Sequence, residues 1–207
     1  MNTKTAFLFP GQGSQSVGMM RDLAAGFDCV RSTFDQASEV LGYDLWTIAE
    51  EGPEERLNQT QVTQPALLAA GIATWRAWRE QGGPDPDFMA GHSLGEYTAL
   101  VAAGALDFDA AIGLVAQRGE MMQAATPPGS GAMAAVLGLD DDVLAGVCDK
   151  ASAVGVVSCA NFNSPGQVVI AGHAEAVARA VDIAAAHGAR RDRRRGRARR
   201  AGRGRSC

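Results

Sequence analysis

The chain has 207 residues, of which 46% are hydrophobic and 20% are charged, as is ordinary for a soluble globular protein. This length allows one sizeable domain or a domain with a small subdomain, and the lack of about 18 consecutive apolar residues excludes a transmembrane span. The net charge of −4 conceals two regions, because residues 190–207 hold ten arginines and one aspartate while the rest of the chain is acidic.

Two further features of the composition bear on location and cofactors. The first residues lack the charged-then-apolar pattern of a signal peptide, so we expect a cytoplasmic protein. The 4 cysteines form no CxxC pair and have no histidine at metal-ligand spacing, so we expect no metal site and idle or buried thiols.

Residues 1–125 predict the amino-terminal part of an α/β core that is built on a parallel sheet. Thr5–Phe9 is a short apolar run before a Gly/Pro loop, which is typical of a buried parallel strand that ends at the carboxyl edge of a sheet. A second strand is predicted over residues 87–91, and a helix follows it at once. Apolar residues at helical spacing predict three further helices, over residues 30–42, 64–83 and 107–125.

Residues 126–189 predict a smaller second unit. Its elements follow the order β-α-β-β-α, which is a ferredoxin-like unit that lacks its last strand. The arginine-rich tail, residues 190–207, begins where that strand is expected. Because the tail has no apolar periodicity, it cannot offset its ordering entropy by burial, and we expect it to be disordered.

Ser93 is the candidate nucleophile. It lies in "GHSLG" between a predicted strand and a predicted helix, which is the pattern of a nucleophile elbow. Such a turn exposes the serine hydroxyl at a helix N-terminus, where free backbone N–H groups can stabilise an oxyanion. The base that would activate Ser93 is not identified. His92 adjoins the serine in a tight turn, so its side chain is expected to point elsewhere. His173 fits a cap or hinge position between a strand and a helix, and His187 fits the last turn of a helix.

Six blocks in order carry a resemblance to a known family. They are "FPGQGSQSVGM", "TQPALLAA", "GHSLGEYTALVAAGAL", "QRGEMMQ", "GAMAAVLGL" and "NFNSPGQVVIAG". From about Thr5 to Ala189 the chain resembles the bacterial malonyl-CoA:acyl-carrier-protein transacylases and the acyltransferase domains of polyketide synthases.

The resemblance implies a role for each matching residue. Ser93 matches the serine that accepts the malonyl group, and the backbone N–H groups of Gln12 and Leu94 match the oxyanion hole. Arg118 matches the arginine that holds the malonyl carboxylate, and a guanidinium suits that bidentate task. We place His92 beside it as a second substrate-binding residue.

The implied reaction is transfer of a malonyl group from malonyl-CoA to the phosphopantetheine thiol of acyl carrier protein, in fatty acid biosynthesis. It proceeds through a malonyl-serine ester and needs no metal or redox cofactor. The implied partners are these two substrates, with no membrane.

The sequence departs from the family pattern after Ala189. The family places its base, a histidine, in a segment like "PVSVPSH", which the 207 residues do not contain. We therefore expect impaired catalysis, with about 10³-fold residual acceleration from the oxyanion hole and binding. Missing strands and cover also predict exposed apolar surface and marginal stability.

Our hypothesis for residues 190–207 is a reading-frame shift, because matching sequence changes abruptly into residues typical of GC-rich codons read out of phase. The rival is a genuine basic extension that binds nucleic acid, although it offers no aromatic residue for base stacking. Two alternative functions stay open. One is a serine esterase of the α/β-hydrolase type, and the other is a noncatalytic protein with a basic nucleic-acid-binding tail.

Overall fold

The computed structural model describes residues 4–125 and 129–191. The chain divides into two compact units, Met1–Ala125 and Thr126–Cys207. Among the described helices, none is both long enough and apolar enough to cross a membrane.

The first unit has two parallel strands and, in its described residues, seven helices. Strand β1 (Ala6–Phe9) pairs with strand β2 (Phe88–Gly91), and Phe9 lies opposite Gly91 at their carboxyl ends. The helices are α1 (Arg21–Ala24), α2 (Asp28–Leu41), α3 (Leu45–Glu51), α4 (Glu54–Leu57), α5 (Thr60–Glu80), α6 (Leu94–Ala102) and α7 (Phe108–Ala124). The α/β class with a parallel sheet, predicted from the sequence, is confirmed.

Helix α5 is the centre of the first unit. Helices α2, α6 and α7 all pack on it, so its aliphatic side chains are buried on several faces. Leu68 of α5, Phe34 of α2 and Ile112 of α7 are among the fully buried side chains of this core. Each such side chain stabilises the fold by about 1.5–3 kcal/mol relative to an exposed one.

Strand β1 is not buried on both faces, which corrects the prediction of a buried strand. Leu8 is 77% exposed and Phe88 of β2 is 57% exposed. The physical reason is that a strand buried on both faces needs cover on both, and the described residues cover only one. On that covered face, Phe7 packs edge-on against the rings of Trp75 and Trp78 of α5, each at a centroid distance of 5.4 Å.

The second unit is an antiparallel sheet with two helices in its described part. Its elements are β3 (Gly131–Leu137), α8 (Asp141–Ala151), a 3-10 turn (Ser152–Val154), β4 (Val157–Ser164), β5 (Gln167–His173), α9 (Ala174–Ala186) and β6 (Arg190–Arg191). The strand order is β4-β5-β3-β6, which is the order of a ferredoxin-like unit.

Strand β6 corrects the prediction that the last strand is missing and that the tail is disordered from residue 190. Arg190 pairs with Leu137 and Arg191 pairs with Val136, antiparallel to β3. Backbone hydrogen bonds form this ladder, so arginines can occupy it without an apolar pattern. The remainder of the predicted disordered tail, residues 192–207, lies outside the described residues.

Cys148 of α8 and Cys159 of β4 adjoin each other in the second unit. Burial, with the neighbouring Cys159 thiol as the next cause, raises the pKa of Cys148 to about 12. The Cys148 thiol therefore stays protonated near neutral pH and is a poor nucleophile. It packs in the core of this unit as a small apolar side chain.

Candidate active site

Ser93 occupies a sharp turn between strand β2 and helix α6. Its backbone has φ 53° and ψ −107°, and among the described residues it is the only non-glycine residue with a positive φ. A conformation of this kind costs about 1–3 kcal/mol and persists only where the surroundings enforce it. The side chain is exposed, so the turn presents the hydroxyl to solvent, as a nucleophile elbow does.

Close backbone contacts enforce the turn. A Cβ atom on Gly91 would lie 1.9 Å from the carbonyl carbon of Gly95, and a Cβ on Gly95 would lie 2.1 Å from the carbonyl oxygen of Phe9. Both distances are far below any real Cβ contact. Only glycine at these two positions lets helix α6 begin directly against the end of β1, which holds Ser93 in its strained conformation.

The strain at Ser93 predicts that a Ser93→Gly variant is more stable than a Ser93→Ala variant. Both lack the hydroxyl, but glycine adopts a positive φ without steric cost. We expect a difference of about 1 kcal/mol in the free energy of unfolding. Urea denaturation followed by circular dichroism measures it, and equal stabilities would show that the turn is unstrained.

The loop after β1 lies beside the elbow, because β1 and β2 are parallel and end together. A Cβ on Gly11 would lie 2.8 Å from the carbonyl oxygen of His92, so the two backbones are in direct contact. Gln12 follows Gly11, and its side-chain amide donates a hydrogen bond to Thr60 Oγ1 at 3.3 Å. This bond ties the loop to the first residue of α5.

Two backbone donors in this region have no partner in the described part of the chain. The N–H groups of Gln12 and Leu94 form no hydrogen bond to any described residue. Leu94 is the first residue of α6, where N–H groups are free of the intrahelical ladder and carry the positive end of the helix dipole. Such donors can stabilise negative charge on a reacting oxygen near Ser93.

Arg118 reaches the serine from helix α7. Its Nη2 donates a hydrogen bond to Ser93 Oγ at 3.0 Å, and its Nη1 donates to Gln64 Oε1 at 2.7 Å. The guanidinium carbon also lies 5.7 Å from the ring centroid of Tyr97. Close packing brings α7 to this position, since a Cβ on Gly119 would lie 2.5 Å from the Cα of Gln61 on α5.

Comparisons with known proteins show what this chain is similar to. Residues 6–198 match the acyl transferase domain family. The chain belongs to this family. It is 58% identical over 189 residues to the malonyl CoA-acyl carrier protein transacylase of Escherichia coli K12, an alignment that covers 91% of this chain and 61% of the relative.

Solved structures show the same likeness for this acyl transferase domain. A malonyl CoA-acyl carrier protein transacylase from Coxiella burnetii superposes with a TM-score of 0.89 at 52% identity, covering 92% of this chain and 61% of that one. A malonyl-transacylase in complex with a type II polyketide synthase acyl-carrier protein gives 0.88 at 57% identity, covering 91% and 61%. The chain thus spans about three fifths of the length of these relatives.

His92 is exposed in the acyl transferase domain and is held by its backbone. Its N–H donates to the carbonyl oxygen of Phe9 at 3.4 Å, and its carbonyl oxygen accepts from Gly95 N–H at 3.0 Å. Its Nδ1 lies 3.3 Å from the site of a Cβ on Gly11, on the side of the β1 loop. In the described residues no histidine side chain forms a hydrogen bond with Ser93. The role of His92 in substrate binding stays a prediction.

Sequence reasoning missed Gln64 and Thr60, which hold Arg118 and Gln12. Gln64 is fully buried, although glutamine is mostly an exposed residue. The signal was present in the "TQPALLAA" block, where a glutamine stands inside an apolar helical pattern. A polar residue at a core position of a helix indicates a specific hydrogen-bond partner, which here is Arg118.

Proposed function

We propose that this acyl transferase domain accepts a malonyl group from malonyl-CoA on Ser93 and passes it to the phosphopantetheine thiol of acyl carrier protein. The observation that carries the proposal is the bond from Arg118 Nη2 to Ser93 Oγ. It places a permanent positive charge beside the nucleophile, which suits an acyl group that ends in a carboxylate. A serine esterase acting on neutral esters gains nothing from that charge.

In the first half-reaction Ser93 Oγ attacks the thioester carbonyl carbon of malonyl-CoA and gives up its proton. The carbonyl oxygen takes the negative charge, and the N–H groups of Gln12 and Leu94 donate to it. The tetrahedral intermediate collapses, the carbon–sulfur bond breaks, and coenzyme A leaves as a thiolate that takes up a proton. A malonyl ester of Ser93 remains.

In the second half-reaction the thiol of acyl carrier protein loses its proton and its sulfur attacks the ester carbonyl carbon, which gives a second tetrahedral intermediate. The carbon–oxygen bond to Ser93 breaks, the serine oxygen takes up a proton, and malonyl-acyl carrier protein leaves. One site serves both halves, because the thiol of coenzyme A leaves the same carbonyl carbon that the thiol of acyl carrier protein later attacks. The two substrates are those named for the Escherichia coli relative.

We expect the 207-residue chain to acylate slowly. The first unit contains only one histidine, His92, and its imidazole lies against the β1 loop. In the described residues no histidine side chain forms a hydrogen bond with Ser93, so we expect the reaction to lack much of the roughly 10²–10⁴-fold contribution typical of a positioned base. The test is incubation of the chain with malonyl-CoA, followed by intact mass spectrometry and mapping of the modified peptide. A chain that stays unlabelled after prolonged incubation would contradict the proposal.

Replacing Arg118 with alanine tests the part of the proposal that concerns malonyl selection. We expect the rate of malonyl labelling to fall roughly 10–100-fold while acetyl labelling from acetyl-CoA changes little, because only malonate carries the second carboxylate. The measurement is the ratio of the two single-turnover labelling rates. Arg79→Ala is the matched control, since Arg79 is an arginine of α5 that pairs with Asp85 at the surface. A malonyl-to-acetyl ratio that survives in Arg118→Ala would refute the assigned role.

A further inference from the structure

Gln64 is a buried glutamine whose two polar ends are both engaged. It lies in the first turns of α5 with no exposed surface. Its Oε1 accepts a hydrogen bond from Arg118 Nη1 at 2.7 Å, and its Nε2 donates to Met122 Sδ at 3.3 Å. Arg118 and Met122 are one helical turn apart on α7, so a single amide spans two successive side chains of the facing helix.

The chemistry of the three groups allows only one orientation of the amide. A guanidinium has five donors and no acceptor, while a thioether sulfur accepts and does not donate. An amide turned the other way would direct N–H groups at the donors of Arg118 and an oxygen at Met122 Sδ. Both contacts would then be repulsive. Met122 and Arg118 therefore favour the same orientation of the amide, in which Oε1 faces the guanidinium.

Gln64 is flanked by two residues that are themselves buried. On one side of Gln64, the Thr63 hydroxyl donates to the carbonyl oxygen of Leu57 at 2.5 Å within the buried core. On the other side, Pro65 is buried inside the helix. An arginine side chain loses about 1.5–2 kcal/mol of rotamer freedom when it is ordered. A hydrogen bond from Arg118 to this buried acceptor offsets part of that cost before substrate binds.

We propose that Gln64 is a positioning residue, whose buried amide, oriented by Met122, holds the Arg118 guanidinium beside Ser93. With Nη1 bound to Gln64, the Nη2 side of the guanidinium faces the serine. An arginine fixed in this way meets the carboxylate of a malonyl group in one geometry, and a mobile one does not. The consequence for malonyl selection rests on the proposed function, while the hold on Arg118 does not.

Two substitutions at Gln64 separate the effect of the hydrogen bond to Arg118 from the effect of the charge at this position. Gln64→Met keeps the approximate volume and removes the acceptor. Gln64→Glu keeps an acceptor for Arg118 but adds a negative charge that competes with the substrate carboxylate. Gln36→Met is the matched control, because Gln36 Oε1 accepts from Arg76 Nη2 at 3.0 Å in a comparable glutamine–arginine pair. Arg76 lies 12 residues beyond Gln64 on α5, which is about 18 Å along the helix axis.

The first readout is the set of proton–nitrogen NMR signals of the Arg118 guanidinium in the 207-residue chain, assigned with Arg118→Lys. A fixed guanidinium gives separate, slowly exchanging signals, and a mobile one gives averaged or absent signals. We expect Gln64→Met to lose the separate signals and Gln64→Glu to keep them. Met122→Leu removes the sulfur acceptor that orients the amide, at a partly exposed position. We expect this milder change to broaden the Arg118 signals without abolishing them.

The second readout is the ratio of malonyl to acetyl labelling of Ser93. We expect this ratio to fall about tenfold in both Gln64 variants and to stay unchanged in Gln36→Met. Separate Arg118 signals that persist in both Gln64→Met and Met122→Leu overturn the proposal. If these signals are lost but wild-type Ser93 never takes a malonyl group, the positioning role stands and the proposed function fails.

Discussion

Replacing Ser93 with alanine should abolish covalent labelling by malonyl-CoA. Transfer through an acyl-enzyme has no route without the nucleophile, and we expect the labelling rate to fall by roughly 10³-fold or more. The Arg118 guanidinium and the free N–H groups stay in place but have no ester to stabilise. Intact mass spectrometry after incubation with malonyl-CoA measures the loss.

The control for this experiment is Ser32→Ala. Ser32 is an exposed helical serine whose hydroxyl donates to the carbonyl oxygen of Cys29 at 3.2 Å, so its loss leaves the elbow untouched. Labelling that persists in Ser93→Ala would place the acyl group on another side chain. That result would remove the basis for the proposed mechanism.

Replacing Gly95 with alanine should destabilise the first unit severely. The new Cβ would lie 2.1 Å from the carbonyl oxygen of Phe9 and 3.0 Å from that of Pro10. Both neighbours are backbone, so α6 must move away from β1 instead of a side chain turning aside. We expect a loss of about 3 kcal/mol or more, a large fraction of the 5–15 kcal/mol typical of a domain.

Gly113→Ala is the matched control for Gly95→Ala. Gly113 lies inside α7, and a Cβ there meets only Val40 Cγ1, at 4.0 Å. Alanine is the better helix former, so this change should stabilise the chain by about 0.5–1 kcal/mol. Thermal unfolding of both variants tests the contrast. Similar melting temperatures for the two would show that the backbone contact at Gly95 is loose.

The part of the site that could be predicted is the part that is local in sequence. Ser93 is predicted because a glycine-flanked serine between a strand and a helix specifies its own geometry over five residues. Leu94 and Gln12 are assigned as the two N–H donors only through the resemblance. Parallel pairing of β1 with β2 then explains how the two loops meet.

Arg118 and Gln64 belong to contacts that a single sequence does not encode locally. In the sequence Arg118 is not distinguishable from other helical arginines. In the structure the close approach of α7 to α5 at Gly119 brings it to Ser93. Gln64 reads as a polar interruption of an apolar helix. Neither role follows from periodicity, because periodicity gives the face of a helix and not the partner that covers it.

The fold shows the same division. The α/β class and the ferredoxin-like order follow from short apolar runs and turn signals, which are local. Strand β6 was missed because Arg190 and Arg191 have no strand pattern, and a backbone ladder does not require one. The exposure of Leu8 was missed because an apolar run does not reveal whether both faces of its strand are covered.

The elbow has a consequence for how such sites change their chemistry over time. Its shape derives from Gly91, Gly95 and the end of β1, and the serine hydroxyl takes no part in closing the turn. The conformation of the turn therefore does not depend on which side chain stands at position 93. A change of nucleophile from oxygen to sulfur would need one substitution and no rebuilding of the scaffold, so that the chemistry of position 93 can diverge while the architecture around it is inherited intact.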